Sequence, residues 1–130
     1  MNFHSSVPIF NVQDLKASRK YYIERLGFRQ DWDYEDIVCS ISRGNCSIML
    51  VQQDQGRGGA WVWIGVGDTE HLHEELATSG ANIRQGPTNF PWALEMQVED
   101  LDGNVIRFGS DSLAGKPYGP WKDMHGRLST

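Results

Sequence analysis

The chain has 130 residues, of which 39% are hydrophobic and 22% charged, and its formal net charge is -5 at pH 7. This length is typical of one domain that buries a core without disulfide or metal staples, and charged residues interrupt the apolar stretches well before they reach the length of a membrane span. The acidic balance and the scattered Lys and Arg residues argue against nucleic acid as a partner, and the absence of a basic region followed by a long apolar run predicts a cytoplasmic protein.

The first half of the chain predicts one β-α-β-β-β unit. A strand over SVPIFNV precedes the helix LKASRKYYIERL, for which Asp14 is the N-cap and Gly27 the end. Three antiparallel strands follow, FRQDWDYED, IVCSISR and CSIMLVQ, the last two joined by a tight turn at Gly44-Asn45.

The second half repeats this order after residues 52–59, which are polar and rich in glycine and therefore predict a flexible connector. AWVWIGV reads as a strand, and Asp68 or Thr69 caps the helix EHLHEELATS. Three further strands are expected in ANIRQGPTNFPW, ALEMQVED and NVIRFGS, the first made irregular by Gly86-Pro87. An internal duplication explains two copies of one plan.

These patterns predict one domain over residues 1–110. It comprises two βαβββ modules, at about residues 5–52 and 60–110, followed by a C-terminal tail over residues 111–130. The tail is rich in glycine, proline and serine, so we expect it to cross a surface or to be partly disordered, with Trp121 as the residue able to anchor it.

Alternation in the last hairpin predicts which side chains face the helices. In residues 94–99, LEMQVE, apolar side chains face the helices and the polar ones lie on the opposite surface. A five-residue loop, DLDGN, keeps the faces consistent because it pairs Val98 with Ile106. Arg107 then shares the non-helical face with Glu95, within reach of a charge-assisted contact.

Five tryptophans in 130 residues motivate a further hypothesis. Trp61 and Trp63 alternate along one predicted strand, so both point to the same face. Tryptophan is costly to expose and supplies a large rigid contact area, which favours a ligand-binding surface. From composition alone, the filling of a core or of a dimer interface explains the tryptophans equally well.

Three segments in order, SVPIFNVQDLKASRKYYIERLGF, AWVWI and VEDLDGNVIRF, resemble the glyoxalase, bleomycin resistance protein and extradiol dioxygenase superfamily. The resemblance spans about residues 5–110. It implies an α+β fold in which two βαβββ modules form a curved, cup-like mixed sheet with the helices outside. Within the superfamily the chain is most similar to bleomycin resistance proteins, through SxVP, RLGF followed by Asp31-Trp32, AWVW, and Pro91-Trp92.

Metal-dependent members of this superfamily hold their ion with two His and two Glu side chains, one from each of four cup strands. The resemblance places Val7, Met49, Trp61 and Arg107 at those positions. The first three do not ligate a hard divalent ion, and Arg107 brings a permanent positive charge to the place of the metal. We therefore expect no metal, no cofactor and no metal-dependent catalysis.

The resemblance implies a protein that sequesters a bleomycin-like or other planar amphipathic small molecule in a metal-free cleft at a homodimer interface, giving antibiotic resistance. The ligand-binding residues it implies are aromatic or line the wall of the cleft: Trp32, Tyr34, Met49, Trp61, Trp63, Trp92 and Arg107. The N-terminal strand, with Pro8 as a hinge, is expected to be exchanged between subunits as in relatives. Ile37 stands where those relatives carry another aromatic residue.

An alternative hypothesis is a glyoxalase- or dioxygenase-like enzyme acting on a small oxygenated substrate, either without the metal or with relocated ligands. In it, Arg107 would anchor a carboxylate and Glu95 would act as a base. An Arg–Glu pair on a sheet face is more often a structural or interfacial ion pair. His71 and His73 are two residues apart on a helix and face different directions, so they do not form a chelating pair.

Overall fold

The computed structural model describes residues 1–122 and 125–129. These contain two helices, α1 (Leu15–Glu24) and α2 (Thr69–Ser79), and the strands β1 (Ile9–Asn11), β2 (Arg29–Tyr34), β3 (Val38–Arg43), β4 (Cys46–Val51), β5 (Trp61–Gly65), β6 (Asn82–Asn89), β7 (Leu94–Glu99), β8 (Val105–Ser110), β9 (Trp121–Lys122) and β10 (Leu128–Ser129). Three residues of the predicted tail, Asp123, Met124 and Thr130, lie outside the described residues. Neither α1 nor α2 has the length and apolar character that a membrane-crossing helix needs.

Two four-stranded sheets share one connectivity. The strand order is β1-β4-β3-β2 in the first sheet and β5-β8-β7-β6 in the second. In each sheet the edge strand that precedes the helix runs parallel to its neighbour, and the remaining pairs are antiparallel. Each sheet with its helix therefore follows the βαβββ plan, and the predicted α+β fold with mixed sheets is confirmed.

An aspartate caps each helix: Asp14, the predicted cap of α1, and Asp68, one of the two predicted candidates for α2. The Asp14 side chain accepts a hydrogen bond from Ala17 N at 3.1 Å, and Asp68 accepts one from His71 N at 3.0 Å. Gly80 ends α2 with a φ of 85°, in the left-handed region that a residue without a Cβ enters at little cost.

The first strand and the first helix are shorter than predicted. β1 pairs only over Ile9–Asn11 because Pro8 has no backbone N–H to give to the ladder, although the Pro8 carbonyl accepts a hydrogen bond from Met49 N at 2.9 Å. α1 ends at Glu24, since the chain leaves the helix toward Gly27, whose φ is 73°.

One hydrophobic cluster joins the two modules. Tyr22 is fully buried and packs edge-on against Phe28, and the same cluster includes Met96 and Ile106 of the second sheet. Val98 lies opposite Ile106, as the five-residue loop predicted, so the apolar face of the last hairpin points into this core.

The loop DLDGN, residues 100–104, also joins the modules. The buried Asp100 carboxylate accepts hydrogen bonds from the backbone and side-chain N–H groups of Asn104 and from the Tyr22 hydroxyl, each at 2.9 Å. The Asn104 amide also donates to the Asn11 carbonyl at 3.2 Å. Burial, and after it the neighbouring Asp100 carboxylate, raise the pKa of Tyr22 well above its ordinary value.

An ion pair links β3 to α2. The Arg43 guanidinium donates to the two carboxylate oxygens of Glu75 at 2.7 and 2.8 Å, and also to the Leu26 carbonyl at 3.0 Å. This hydrogen bonding lowers the pKa of Glu75. Both side chains stay partly exposed, so solvent screens the pair and its contribution to stability is modest.

The first part of the tail folds back onto the second sheet. Trp121 packs edge-on against Phe90 and Trp92, with ring centroids 6.4 and 5.4 Å apart, and against Tyr118 at 6.3 Å. Trp121 thus anchors the tail, as its sequence suggested, and the strand that contains it, β9, pairs with β10 in a two-stranded sheet.

Candidate functional site

The sheet faces turned away from the helices carry exposed aromatic side chains. On the second sheet Trp61 and Trp63 are each about half exposed, and on the first sheet Trp32 and Tyr34 are exposed to a similar degree. Large aromatic side chains are usually buried to a greater extent than this, so these faces are candidates for contact with a ligand or a partner.

One buried carboxylate holds two of the indoles in place. Trp63 Nε1 and Trp92 Nε1 each donate a hydrogen bond to Glu95 Oε2 at 3.0 Å. Arg107 donates to Glu95 Oε1 from Nε at 3.0 Å and from Nη2 at 2.8 Å, and Nη2 also lies 3.0 Å from Oε2. Glu95 is only 2% exposed, and the positive charge of Arg107 offsets the cost of burying it. The two indoles are thereby oriented while about half of each stays exposed.

Strand register brings these side chains together. Trp63 lies opposite Arg107, which lies opposite Gln97, so the three form a row across the sheet with Glu95 two residues along β7 on the same face. The Trp63 ring extends over Gly109, where a Cβ would come within 2.6 Å of it. Glycine at that position therefore makes room for the ring.

Two further aromatic contacts shape this surface. Trp92 stacks on the buried Phe90 with a centroid distance of 5.0 Å and an interplanar angle of 1°. The Arg84 guanidinium lies 4.9 Å from the centroid of the Trp61 ring and is hydrogen-bonded to the Gln97 side chain. Trp92 and Trp61 are thus each packed against a neighbouring side chain, Phe90 and Arg84 respectively.

A cavity of about 240 Å³ opens between these side chains. Its walls combine the indoles of Trp61, Trp92 and Trp121, two glutamine amides and the Glu95–Arg107 ion pair. Such a mixture of flat apolar faces with a few polar groups is typical of small-molecule sites.

A larger cavity, of about 530 Å³, lies between the two modules at the start of α2. Its aromatic rings, Phe28 and Phe108, are part of the core, and its rim carries the Arg43–Glu75 ion pair. None of the seven predicted ligand-binding residues lines it. The smaller cavity offers exposed indole faces, so it is the better candidate for a planar ligand.

The structure divides the seven predicted residues between the two sheets. Four lie on or beside the second sheet: Trp61, Trp63, Trp92 and Arg107. Three lie on the first sheet: Trp32, Tyr34 and Met49. On that sheet Trp32 is opposite Ser40, which is opposite Met49, so these form a row of their own.

Glu95 and Trp121 are among the residues of the site that were not among those seven. Glu95 was considered as a base, whereas in the structure it orients the indoles; the signal was its place on the same face as Trp63 and Arg107. Trp121 was expected only to anchor the tail, and nothing in its local sequence indicates that it reaches Trp92.

The four residues that the resemblance places at the metal-ligand positions of relatives do not form a ligand set. Val7 precedes β1, Met49 and Trp61 offer no hard donor, and Arg107 is paired with Glu95. Over residues 1–122 and 125–129, no three His, Cys, Asp or Glu side chains are grouped so that they could hold a metal ion. The residues present therefore do not fit the divalent ion of the metal-dependent relatives.

Comparison with solved structures finds several of similar fold. The crystal structure of the bleomycin-binding protein from bleomycin-producing Streptomyces verticillus, complexed with copper(II)-bleomycin, matches with a TM-score of 0.72 and 23% identity over 86% of this chain and 99% of that chain. TnmS3, an antibiotic binding protein from Streptomyces sp. CB03234, matches with a TM-score of 0.70 and 24% identity over 86% and 100% of the two chains. A glyoxalase/bleomycin resistance protein/dioxygenase from Nocardioides matches with a TM-score of 0.66 and 15% identity over 92% and 91%.

These identities establish a shared fold, and no curated protein gives a significant match in sequence. The sequence profile of the Glyoxalase/Bleomycin resistance protein/Dioxygenase superfamily matches residues 6–108, which is most of the chain. The match covers both modules and ends within β8. The chain therefore belongs to the glyoxalase/bleomycin resistance protein/dioxygenase superfamily.

Proposed function

We propose that this protein binds and sequesters a planar amphipathic small molecule, bleomycin-like or another antibiotic, in a metal-free cleft of a homodimer, and so gives antibiotic resistance. The observation that carries the proposal is the buried Glu95 carboxylate, which fixes the indoles of Trp63 and Trp92 while their rings stay half exposed. Indoles that served only to fill a core would be buried, whereas these two are half exposed.

Fixed indoles favour binding because a stacking ligand does not have to order them. The conformational entropy lost when a side chain is immobilised on binding costs about 0.5–1.5 kcal/mol. The hydrogen bonds to Glu95 already restrict Trp63 and Trp92 in the free protein, so a ligand does not bear this cost for them. Each aromatic pair contributes about 0.5–1.5 kcal/mol beyond the burial of its area. Stacking on these indoles therefore favours planar ligands over other shapes.

The homodimer is supported by the sheet edges and by the second set of aromatic residues. β1 and β5 are edge strands, each with one neighbour in its own sheet. An open edge beside an apolar face invites pairing with another chain. In the proposed dimer a second copy packs against these edges, and the first-sheet face of one chain and the second-sheet face of the other contribute to one cleft.

The solved structures of similar fold are consistent with binding. The Streptomyces verticillus protein binds copper(II)-bleomycin and TnmS3 is an antibiotic binding protein. A shared fold hosts different functions, so the proposal for this chain depends on its own indoles and only secondarily on this likeness.

The enzyme alternative has less support from the geometry. Glu95, its candidate base, already accepts hydrogen bonds from Trp63, Trp92 and Arg107. To take a proton from a substrate it would have to release one of these donors. Arg107 is likewise committed to Glu95, which leaves it a poor anchor for a substrate carboxylate.

A thermal-shift screen tests the proposed function. Chelator-treated protein is heated with a panel of planar antibiotics that includes metal-free and copper-loaded bleomycin, because any ligand of the folded state raises Tm by mass action. Trp61→Ala should remove most of the shift, since it deletes an exposed indole without touching the hydrogen bonds of Glu95. Ile23→Ala, which removes a similarly exposed apolar side chain from α1, should retain the shift. No shift with any member of the panel would contradict the proposal.

A further inference from the structure

The tail that follows the second sheet is docked by one buried side chain. Asn89 is 8% exposed, and its Oδ1 accepts hydrogen bonds from Leu113 N at 2.8 Å and from the Ser112 hydroxyl at 3.0 Å. Its Nδ2 donates to the Leu113 carbonyl at 3.0 Å and lies 3.5 Å from the Lys116 carbonyl. Both ends of the Asn89 amide are thus engaged by the tail.

A second contact fixes the path of the tail closer to Trp121. Gly119 N donates to the Asn89 carbonyl at 2.8 Å. A Cβ on Gly119 would lie 2.1 Å from Thr88 Cγ2, which is far inside van der Waals contact. Only glycine allows the tail to approach β6 this closely, so the segment leading to Trp121 is held at two points.

This docking places Trp121 in the wall of the aromatic cavity. Its ring meets Trp92 at 80° with centroids 5.4 Å apart, and it meets Tyr118 at 73° with centroids 6.3 Å apart. Edge-to-face pairs of this kind are a favoured aromatic geometry. Trp121 and the preceding Pro120 both line the 240 Å³ cavity, facing Trp61.

We propose that Trp121 is a further ligand-contacting residue, and that the docked tail restricts the cavity to one neutral, flat heteroaromatic ring of the ligand. This inference rests on the proposed function, because it requires the aromatic surface to be the binding site. In this proposal the tail, which lies outside the two βαβββ modules, forms one wall of the binding cavity.

The size of the cavity supports a single ring system. Sites that enclose a whole drug-sized ligand typically span about 300–1,000 Å³. At 240 Å³, the space beside Trp121 takes one flat group, and the remainder of a larger molecule lies beyond it, where Trp92 also borders a cavity of about 460 Å³.

The polar groups of the cavity support a neutral ring. Glu95 and Arg107 neutralise each other, and the other polar side chains in the wall are the amides of Gln85 and Gln97. The Gln97 oxygen accepts from Arg84 and the Gln85 nitrogen donates to Thr88, which leaves the Gln97 nitrogen as a donor and the Gln85 oxygen as an acceptor for the edge atoms of a neutral heteroaromatic ring.

Fluorescence titration of the full chain with acridone, a neutral flat probe with one carbonyl and one N–H on its edges, tests the inference. The wild type should bind it saturably, and Trp121→Ala should weaken binding at least tenfold. Asn89→Ala and Gly119→Ala should weaken it comparably, since each releases the tail at a different point. Lys122→Ala, which alters the exposed neighbour of Trp121, should stay within twofold of the wild type.

Metal-free bleomycin is titrated in parallel, and the Tm of each variant shows that its fold is retained. Equal binding of acridone by the wild type and by Trp121→Ala would overturn the inference while leaving the proposed function in place. Binding of bleomycin but not of acridone would overturn the inferred ring class. If neither probe nor any planar antibiotic of the thermal-shift panel binds the wild type, the proposed function fails and the inference fails with it.

Discussion

A carboxylate loses favourable hydration when it is buried, and Glu95 recovers that loss through its neighbours. Arg107 supplies the opposite charge, and the indole N–H groups of Trp63 and Trp92 supply further donors. The same contacts determine the orientation of the rings. One residue therefore contributes both to the stability of the second sheet and to the shape of its exposed face.

Replacement of Glu95 by Gln should separate the effects of its charge and hydrogen bonds from the effect of its packing. Gln keeps the volume but removes the charge, so Arg107 loses its ion-pair partner. Because both indole N–H groups donate to the same Glu95 oxygen, the amide nitrogen of Gln faces either both indoles or Arg107. We expect a loss of about 1–3 kcal/mol in the free energy of unfolding, together with weaker ligand binding. Urea denaturation followed by circular dichroism measures the first quantity. Glu99→Gln on the same strand is the control and should change it by less than about 0.5 kcal/mol; equal losses for the two variants would contradict this role of Glu95.

Tyr22 predicts a specific sensitivity to alkaline pH. Because its pKa is raised in the folded state, the unfolded chain loses this proton first, at about pH 10. The stability that Tyr22 provides is thus fully present below that pH and declines as the pH rises toward the folded-state pKa. Tyr22→Phe should cost about 1–2 kcal/mol at pH 7, because Asp100 loses a donor, and should reduce the alkaline decline. The measurement is the free energy of unfolding as a function of pH in the alkaline range, with Tyr118→Phe as the control. An alkaline decline as steep in Tyr22→Phe as in Tyr118→Phe would contradict this role of Tyr22.

At the scale of elements, contacts between the modules come from loops and helix surfaces more than from strand pairing. The DLDGN loop reaches α1 through Asp100 and Tyr22, and α2 reaches β3 through Glu75 and Arg43. These contacts surround the shared core, so the two modules are expected to unfold together.

The Arg43–Glu75 pair should make part of the stability dependent on acid. The pKa of Glu75 is lowered in the folded state, so the contribution of the pair is present above the unfolded value of about 4.3 and is lost as the pH falls through the folded-state pKa. Since both side chains are partly exposed, the loss should be under about 1 kcal/mol. Glu75→Gln should lower stability by that amount at pH 7 and flatten the acid limb of urea-derived stability against pH. Glu74→Gln should change neither the stability at pH 7 nor its decline in acid. An acid decline that is the same in Glu75→Gln as in the wild type would contradict this role of the Arg43–Glu75 pair.

Elements whose boundaries depend on local chemistry were predictable from the sequence. Asp14, Asp68 and Gly80 mark helix ends because capping and positive φ are properties of single residues. Alternation also gave the register of the last hairpin. It placed Glu95 on the correct face, but it gave no information on what covers that face.

The contact of Trp121 with Trp92 could not be predicted from local sequence patterns. It joins segments far apart along the chain, and it depends on Asn89 and Gly119 meeting the tail in three dimensions. Neither residue belongs to a local pattern that indicates this role. The first strand is a smaller case, since Pro8 shortened a run that otherwise reads as β structure.

At the scale of the whole molecule, one chain presents two aromatic sheet faces, and each four-stranded sheet has two edge strands, β1 and β2 in the first and β5 and β6 in the second. The face of the second sheet has a cavity of its own, while the face with Trp32 and Tyr34 lies on the first sheet. The proposed homodimer joins one face of each kind, so that residues from both chains contribute to each cleft.

Sedimentation equilibrium tests this assembly. We expect a mass of twice the 14.7 kDa of one chain at micromolar concentration. Ile9→Lys places a charge on the exposed side of edge strand β1 and should shift the protein toward monomer. Ile23→Lys, at a similarly exposed position on α1, should leave the mass unchanged. A wild type that sediments as one chain would contradict the dimeric cleft.

The most direct measurement of metal-free binding on the exposed indole surface is calorimetric titration of chelator-treated protein with the antibiotic that gives the largest thermal shift. The account predicts saturable binding whose affinity is the same with and without the chelator, and which falls at least tenfold in Trp61→Ala. Heat that appears only after a transition-metal ion is restored, or an affinity that Trp61→Ala leaves unchanged, would contradict it.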